Sequence, residues 1–442
     1  MRIQLPQRVH DIIETIQASG YEAYAVGGCV RDSILGKEPN DWDITTSAKP
    51  EEIKKLFNRT IDTGIQHGTV TVMIEKEGFE VTTYRIDGEY EDSRHPKEVT
   101  FTANLAEDLR RRDFTINAMA YNEKDGLIDI FEGIQDMKQG IIRCVGDAKE
   151  RFTEDALRMM RAVRFSAQLG YQIDEETKEA IKELAPTLQN ISAERIQVEL
   201  VKLLVSDHPD FLRIVYETNL TKYFIPEFDI CMETPQNNPH HCYSVGEHIL
   251  HTLKAVKPDK VLRLAMLFHD IGKPQTLTID EKGITHNHGH AQVGEEMAVK
   301  ILRRLKFDND TTDKVRKLVR YHDQKIEPAA KYVRRAINRI GEDIFPLLFS
   351  VKNADIMAQS DYKREEKLQK LAVIREIYEE ILEKNECLSL KDLSVTGSDL
   401  IANGMQPGKE IGIVLHKLLE IVLENPDLNQ KEYLLSLLPL QD

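Results

Sequence analysis

Residues 23–43 read Ala-Tyr-Ala-Val-Gly-Gly-Cys-Val-Arg-Asp-Ser-Ile-Leu-Gly-Lys-Glu-Pro-Asn-Asp-Trp-Asp. An apolar, β-type run enters a turn at Gly27 and Gly28, a short helical pattern follows, and Asp41 and Asp43 close the stretch. Side chains alternate faces along a strand, so two aspartates two positions apart point the same way. Two outward carboxylates repel each other unless a cation lies between them. A glycine pair lets phosphate approach the backbone N–H groups that open a helix. A phosphate cradle beside a divalent-metal platform is what nucleotidyl transfer requires. The same letters also describe a surface strand with solvated aspartates and a structural turn, so the rest of the chain decides between the two.

At 442 residues the chain is too long for one core, and such a length predicts roughly two to four domains. Hydrophobic content of 41% and charged content of 30% describe a globular, soluble protein. No stretch reaches the ~20 apolar residues of a membrane span, and the opening Met-Arg-Ile-Gln-Leu-Pro-Gln-Arg lacks a signal-peptide core. Cys29, Cys144, Cys231, Cys242 and Cys387 are scattered, with no Cys-x-x-Cys pair. That pattern excludes zinc fingers and a disulfide framework and points to reduced thiols in a cytoplasm. The net charge of −15 speaks against nucleic-acid binding by the chain as a whole, but a local basic cleft sets the field a polyanion meets.

Residues 8–18 predict an amphipathic helix with Val9, Ile12, Ile13 and Ile16 on one stripe, and a second helix is expected near Pro50 to Phe57. Residues 69–75 and 79–85 alternate β-formers and read as neighbouring strands. Glu80 on the second of them is either a third metal ligand or an exposed strand carboxylate. Residues 86–104, polar and turn-rich, read as a mobile loop. Glu107-Asp-Leu-Arg-Arg-Arg-Asp-Phe-Thr-Ile-Asn-Ala follows. Its arginines offer phosphate-binding forks, and Asp113 and Asn117, which would share a helix face, can hold ribose hydroxyls. A short strand and turns over residues 127–145 close this part. From Lys149 the pattern turns helical through Phe165, with Asp155 and Arg158 three apart and Arg161 and Arg164 continuing the spacing.

Gly27-Gly28…Asp41-x-Asp43, then Arg-Arg-Asp113-Phe-Thr-Ile-Asn117, then Glu154-Asp155-x-x-Arg158, closely resembles the class II tRNA nucleotidyltransferases. These are the CCA-adding enzymes and their relatives, the bacterial poly(A) polymerases. The resemblance covers essentially the whole chain. It implies an α/β polymerase-β-type nucleotidyltransferase head, an all-α neck, a helical domain of HD type and a helical tail. The expected boundaries are residues 1–145, 146–225, 226–360 and 361–442. Two Mg²⁺ ions held by Asp41 and Asp43 would activate the RNA 3′ hydroxyl and stabilise departing pyrophosphate. The nucleotide would be held by Gly27, Gly28, Arg31, Arg111, Arg112, Asp113, Asn117, Asp155, Arg158, Arg161 and Arg164.

Cytosine and adenine both present an amine donor beside a ring-nitrogen acceptor, whereas uracil and guanine present a carbonyl beside an N–H. A carboxylate with a guanidinium therefore fits C and A and rejects U and G. The resemblance assigns this templating to Asp155 and Arg158. Ser192 is expected to cap the helix that carries Arg195 near the site. Within the family that the chain resembles, enzymes that add only CC lack a flexible loop at the place of residues 86–104, so a loop with Arg94, His95 and Pro96 favours full CCA or terminal-A addition.

Residues 239–360 carry most of the histidines. His248, then His269-Asp270, His290, His322 and Asp355 suit a divalent transition metal and resemble the HD superfamily of phosphohydrolases, which implies either an active phosphatase or phosphodiesterase or a degenerate unit that helps hold RNA. In the tail, residues 361–385 predict a charged helix with Leu368, Leu371, Ile374 and Ile377 on one stripe. Gly408, Lys409 and a following helix start could take an RNA phosphate, or form a plain packing turn. The expectation is a cytoplasmic enzyme that adds CMP and AMP to the 3′ end of tRNA from CTP and ATP, with no membrane or protein partner evident. The alternatives are an A-adding enzyme, a poly(A) polymerase, a uridylyltransferase or an HD phosphohydrolase.

Overall fold

The alternation Thr-Val-Thr-Val at residues 69–72 buries Val70 and Val72 and leaves the threonines half-buried, as a strand covered on one face must. In the computed structural model, which describes residues 2–88 and 99–438, that strand lies inside a seven-stranded mixed sheet. Its strands are β1 (Ala23–Val26), β2 (Ile44–Thr46), β3 (Thr60–Gly64), β4 (Thr69–Ile74), β5 (Glu77–Thr83), β8 (Ala120–Asn122) and β9 (Gly126–Ile128); β6 (Arg85–Asp87) and β7 (Val99–Phe101) form a separate ribbon. The order is β3-β4-β5-β2-β1-β8-β9, with β2 and β5 parallel and the other neighbours antiparallel. Helix α1 (Gln7–Ala18) buries Val9, Ile12, Ile13 and Ile16, the stripe expected from their spacing. Each such side chain is worth roughly 1.5–3 kcal/mol on burial. Helices α2 (Gly28–Ile34), α3 (Pro50–Leu56), α4 (Leu105–Arg110) and α5 (Gly133–Gln139) complete the sheet-bearing part.

The chain divides into two compact units, Met1–Pro226 and Glu227–Asp442. The first continues past the sheet with helices α6 (Ala148–Glu154), α7 (Leu157–Leu169), α8 (Glu175–Leu184), α9 (Ala193–Leu204) and α10 (Leu212–Glu217). The second is helical apart from one small hairpin among its described residues. It contains α11 (Pro226–Glu233), α12 (Val245–Ala255), α13 (Lys260–Phe268), α14 (Lys273–Thr276), α15 (His290–Arg304), α16 (Asn309–Tyr321), α17 (Ala330–Ile340) and α18 (Phe345–Ala358). The charged α19 (Arg364–Glu383) buries Leu371, Ile374 and Ile381, with Leu368 and Ile377 half-buried beside them. Helices α20 (Gly397–Ala402), α21 (Lys409–Glu424) and α22 (Lys431–Ser436) share a core of Leu400, Leu418, Val422 and Leu434.

Five local expectations are corrected. Asp41 and Asp43 lie in the extended approach to β2 rather than on it, although the Asp43 carbonyl still accepts from Val26 N–H at 3.0 Å. Asp113 and Asn117 are not helical: Phe114 is extended and bridges Cys144, and only Thr115–Asn117 coil into one 3₁₀ turn. The helix expected from Lys149 to Phe165 breaks at Asp155 (φ −141°), whose carboxylate accepts from Leu157 N–H at 3.0 Å to start α7. Residues 133–139 form helix α5 where turns were expected. The ends of the polar loop pair as β6 and β7, while Arg94, His95 and Pro96 fall outside the described residues.

Candidate functional site

Parallel pairing of β2 with β5 matches Ile44 to Val81. One step back along both chains brings Asp43 beside Glu80, on the face opposite those two buried residues. Asp41, Asp43 and Glu80 therefore line one open cleft of about 890 Å³, with Arg8 and Glu77 at its rim. Protein crowded around the Asp43 carboxyl raises its pKa against the pull of Arg112, and Asp41 adds to the rise. Glu80 is raised for the same reasons: removal from water first, then the charges of Asp43 and Asp41. Three neighbouring carboxyls, of which Asp43 and Glu80 are pushed toward the neutral form, fit a hard divalent cation. They are spaced more widely than the histidine groups described below, whose ligand atoms lie within 4.8 Å of one another.

Gly27 precedes α2 at φ +84°, a conformation glycine alone adopts without strain, and a Cβ there would come within 3.2 Å of Arg112 Nη1. Arg112 Nη2 is held by buried Asp108 at 3.3 Å, and its Nε is buried without a hydrogen-bond partner. Arg111, expected as a phosphate fork, instead gives Nε and Nη2 to Asp108 at 2.9 and 2.7 Å. Asp108 also accepts from Thr45 on β2 at 3.0 Å, so one buried carboxylate fixes the arginine run to the strand behind Asp43.

Asp113 and Asn117, expected at the ribose, anchor an internal web. Asn117 accepts from Arg31 Nη1 at 2.6 Å and donates to Asp113 at 3.1 Å. The other Asp113 oxygen takes the Arg161 guanidinium, with Nε at 2.8 Å. Burial alone would raise Asp113, but Arg161 and Asn117 reverse it and bring it to about 2. Arg164 pairs with buried Glu199 at 2.9 Å and stacks 3.5 Å from the Phe165 ring centroid; Arg31 and Arg161 face the same ring at 5.0 and 5.4 Å. Asp155 is gripped by Arg195 Nη2 at 2.7 Å. Arg158 donates to Glu154 and, through Nη2, to the Arg111 carbonyl at 3.0 Å. Asp155 and Arg158 are joined through the backbone, the Arg158 N–H donating to the Asp155 carbonyl at 2.9 Å. Ser192 is the residue before α9 but makes no side-chain cap.

The second unit gathers His248, His269, Asp270, His290, His322 and Asp355 from helices α12, α13, α15, α16 and α18 and their ends. His248 Nε2 lies 2.9 Å from Asp355 and 3.2 Å from His269 Nε2; His290 and His322 Nε2 are 3.1 Å apart. Each Nδ1 faces a backbone carbonyl: Met266, Asn287 and Val319 at 2.7 Å, and Ala358 at 3.3 Å for His248. That leaves every Nε2 turned inward as a lone-pair donor, the arrangement of metal-binding imidazoles. Gly272 permits it, because a Cβ there would meet the His290 carbonyl at 2.4 Å. Burial raises Asp355, but the imidazoles of His248 and His269 more than reverse this and hold it below the carboxylate range. The chemistry of the set fits a divalent transition metal. Lys409 is exposed at the first position of α21.

Sequence reasoning missed Asp108, Glu199, Phe165 and Lys273, whose Nζ lies 2.6 Å from Asp270. Only their burial distinguishes them from ordinary surface residues.

Residues 23–143 match the family description "Poly A polymerase head domain", residues 170–232 "Probable RNA and SrmB- binding site of polymerase A", and residues 275–438 "tRNA nucleotidyltransferase domain 2 putative". A CCA-adding enzyme of Lactiplantibacillus plantarum is 57% identical over 209 residues, 47% of this chain and 51% of the relative. Matches of that kind span about half the length of the curated relatives. A CCA-adding enzyme of Limosilactobacillus reuteri is 37% identical over 438 residues, covering 98% of this chain and 97% of the relative. The crystal structure of the Bacillus stearothermophilus CCA-adding enzyme in complex with CTP superposes with a TM-score of 0.74 at 30% identity, over 98% of this chain and 97% of that one. With the carboxylate cleft and the arginine web on the page, this end-to-end likeness identifies the chain as a member of the CCA-adding enzyme family.

Proposed function

We propose that the chain adds CMP and AMP to the 3′ end of tRNA lacking its terminal CCA, taking them from CTP and ATP. The observation that carries this reading is the convergence of Asp41, Asp43 and Glu80 beside Gly27 and Arg112, in a chain 37% identical over nearly its full length to a CCA-adding enzyme. Asp41, Asp43 and Glu80 are assigned as ligands of two Mg²⁺ ions. Such ions, when bound, lower the pKa of the attacking hydroxyl and neutralise departing pyrophosphate. Gly27 leaves the triphosphate room against the start of α2, and Arg112 offers it the unpartnered Nε. Asp108 keeps Arg111 and Arg112 in place, which makes Arg111 a brace here more than a fork. Asp113 and Asn117 orient Arg31 and Arg161 and meet the ribose at their remaining valences. Asp155 accepts from the exocyclic amine of C or A while Arg195 holds it still, and Arg158 donates to the ring nitrogen. A carboxylate has about four lone-pair directions, so the two-pronged Arg195 grip and the Leu157 N–H together leave one for the base.

The division proposed is a head over residues 1–145, a neck over 146–225, an HD-type domain with one or more divalent transition-metal ions over 226–360, and a tail over 361–442 in which Lys409 meets RNA. No helix among the described residues is long and apolar enough to cross a membrane; that, with the absence of any paired cysteine among them, supports a cytoplasmic setting.

The test is incubation with tRNA lacking CCA and with each labelled nucleoside triphosphate, alone and together. Incorporation of CTP and ATP that stops after the third residue supports the reading. An open-ended A tail would make the chain a poly(A) polymerase, addition of A only to a CC end an A-adding enzyme, and transfer of UMP to protein would sink it.

A further inference from the structure

Asp108, on the short helix α4, is 0% exposed and collects donors from three parts of the first unit. Its Oδ1 accepts from Arg111 Nε and Nη2 at 2.9 and 2.7 Å, and from the Arg85 N–H, at the start of β6, at 3.4 Å. Its Oδ2 accepts from Thr45 Oγ1 on β2 at 3.0 Å and from Arg112 Nη2 at 3.3 Å. A carboxylate has about four lone-pair directions, so these donors fill it. Burial pushes the carboxyl pKa up, but Arg111 and Arg112 more than offset that and hold it below its usual range. Asp108 is a fixed charge with no capacity left for a substrate, so whatever it adds to the reaction passes through its partners.

Those partners lead to the metal strand, the triphosphate and the base. Thr45 follows Asp43 by two positions and shares its face. Arg112 lies beside Gly27, with Nη1 3.2 Å from where a Cβ would stand. At the other end of α4 the last carbonyls are taken by the two helices that flank Asp155. Arg151 Nη1 donates to the Arg110 carbonyl at 3.2 Å, and Arg158 Nη2 donates to the Arg111 carbonyl at 3.0 Å. Arg158 also gives Nη1 to the Arg151 carbonyl at 3.0 Å, and Glu154 pairs with both arginines. The final carbonyls of a helix lack intrahelical partners and carry its negative dipole end, so cations are held there by hydrogen bonds and by field together. Arg111 joins the two ends: its carbonyl meets Arg158, and its guanidinium meets Asp108.

We propose that Asp108 is a positioning residue for base selection, coupling Arg158 at the base to Arg112 at the triphosphate through Arg111. The inference rests on the base-selecting role given above to Asp155 and Arg158. When cytosine or adenine offers its ring nitrogen, Arg158 is pinned between the base and the Arg111 carbonyl, and Arg111, Asp108 and Arg112 are set in one arrangement. Uracil presents an N–H to the same guanidinium. Donor then meets donor, Arg158 moves off, and the shift passes along contiguous contacts to Arg112. Selection thereby acts on the rate of transfer as well as on binding. Contact alone is not coupling, and a double-variant cycle measures the difference.

The experiment follows single additions of CMP or UMP to tRNA lacking CCA by the full chain, Asp108→Asn, Arg158→Lys and the double variant, with the melting temperature of each as the folding control. Asp108→Asn should lower kcat/KM for CTP by about 10- to 100-fold, the loss of one charge-assisted contact, mostly in kcat, and that for UTP by less than about threefold. The double variant should lose about tenfold less on CTP than the product of the two single losses. If Asp108→Asn does not fold, Thr45→Val decides: it cuts only the tie to β2 and should lower the CTP-to-UTP preference by about threefold. An unchanged preference in that variant overturns the inference. Equal losses on CTP and UTP in Asp108→Asn make Asp108 a structural brace and overturn it too, as do single losses that multiply in the double variant. A wild-type chain that adds CMP and UMP alike overturns the base-selecting reading itself, and this inference with it.

Discussion

The acids of the head and the histidines of the second unit are built in opposite ways. Asp41 and Asp43 sit in an exposed approach to β2, and the carboxyls of Asp43 and Glu80 are raised in pKa, first by crowding and then by neighbouring acids. The histidines are buried, and each is tied from behind by a carbonyl, so their inward nitrogens are fixed by the fold. Oxygen donors without rigid support suit an ion that arrives with its substrate and leaves with the product. Nitrogen donors locked in orientation suit an ion that stays. The difference teaches how the two cation chemistries proposed for this chain, one exchangeable and one resident, would be separated by donor type and by backing.

The sharpest way to break this contrast is to remove a head acid. Asp41→Ala and Asp43→Ala should each lower nucleotide addition by more than about 100-fold, since even a residue behind a metal ligand costs 10–100-fold. Their melting temperatures should stay at or above that of wild type, because mutual repulsion is relieved. Substantial residual addition in either variant contradicts the metal assignment, and a large loss of stability would place these acids with the locked class.

Asp113 sharpens the contrast from between the two extremes, as a head carboxylate that is locked. Its pKa in the folded protein is about 2, against roughly 3.9 in an unfolded chain, a difference worth ~2–3 kcal/mol. A depressed carboxylate stabilises the fold above its unfolded pKa and stops doing so as pH falls through the folded one. Asp113→Asn should therefore be less stable by about 2 kcal/mol at neutral pH. Denaturant titrations at several pH values should find that gap closing between about pH 4 and pH 2. A gap that does not change with pH would mean that Arg161 is held by something else. On the histidine side, His269→Ala should cost about 1–3 kcal/mol by leaving buried polar groups unmet, read as a lower melting temperature, while nucleotide addition stays at the wild-type rate. Loss of addition with the fold intact would break the separation of the two chemistries.

What was legible in the sequence follows the same division. The strand pattern around β4 and β5, the α1 stripe and the gathering of the histidines with Asp270 and Asp355 could be read because periodicity and residue type carry them. Glu80 stayed ambiguous because only the β2–β5 register, Ile44 against Val81, brings it beside Asp43. The break at Asp155 was invisible: Thr-Glu-Asp-Ala-Leu holds no glycine or proline, and the partners of the carboxylate at the break include Arg195, forty residues on, which local spacing cannot report. Asp113 and Asn117 share a face through a 3₁₀ turn because Phe114 bridges Cys144, a long-range pairing that local spacing cannot report. Glu199 lies among the buried residues of α9, and from sequence alone an acid at that position looks solvated.

The smallest expected effect separates holding from reading at Asp155. Its carboxylate receives both the Arg195 fork and the Leu157 N–H, so removing it loses a helix start and a salt bridge as well as any contact to a base. Asp155→Ala should relax base choice, measured as UMP or GMP misincorporated at a tRNA end, by roughly ten- to 100-fold if one matched polar contact worth ~1.5–3 kcal/mol is lost. Arg195→Lys keeps a cation near Asp155 but loses the two-pronged grip. It should lower the rate of correct addition a fewfold and raise misincorporation less than Asp155→Ala does. If both variants relax base choice equally, the position of the carboxylate decides the base. If Arg195→Lys slows addition with selectivity intact, Asp155 reads the base however it is held. If Asp155→Ala leaves selectivity unchanged, the templating role passes to Arg158, whose guanidinium is already anchored on Glu154 and the Arg111 carbonyl.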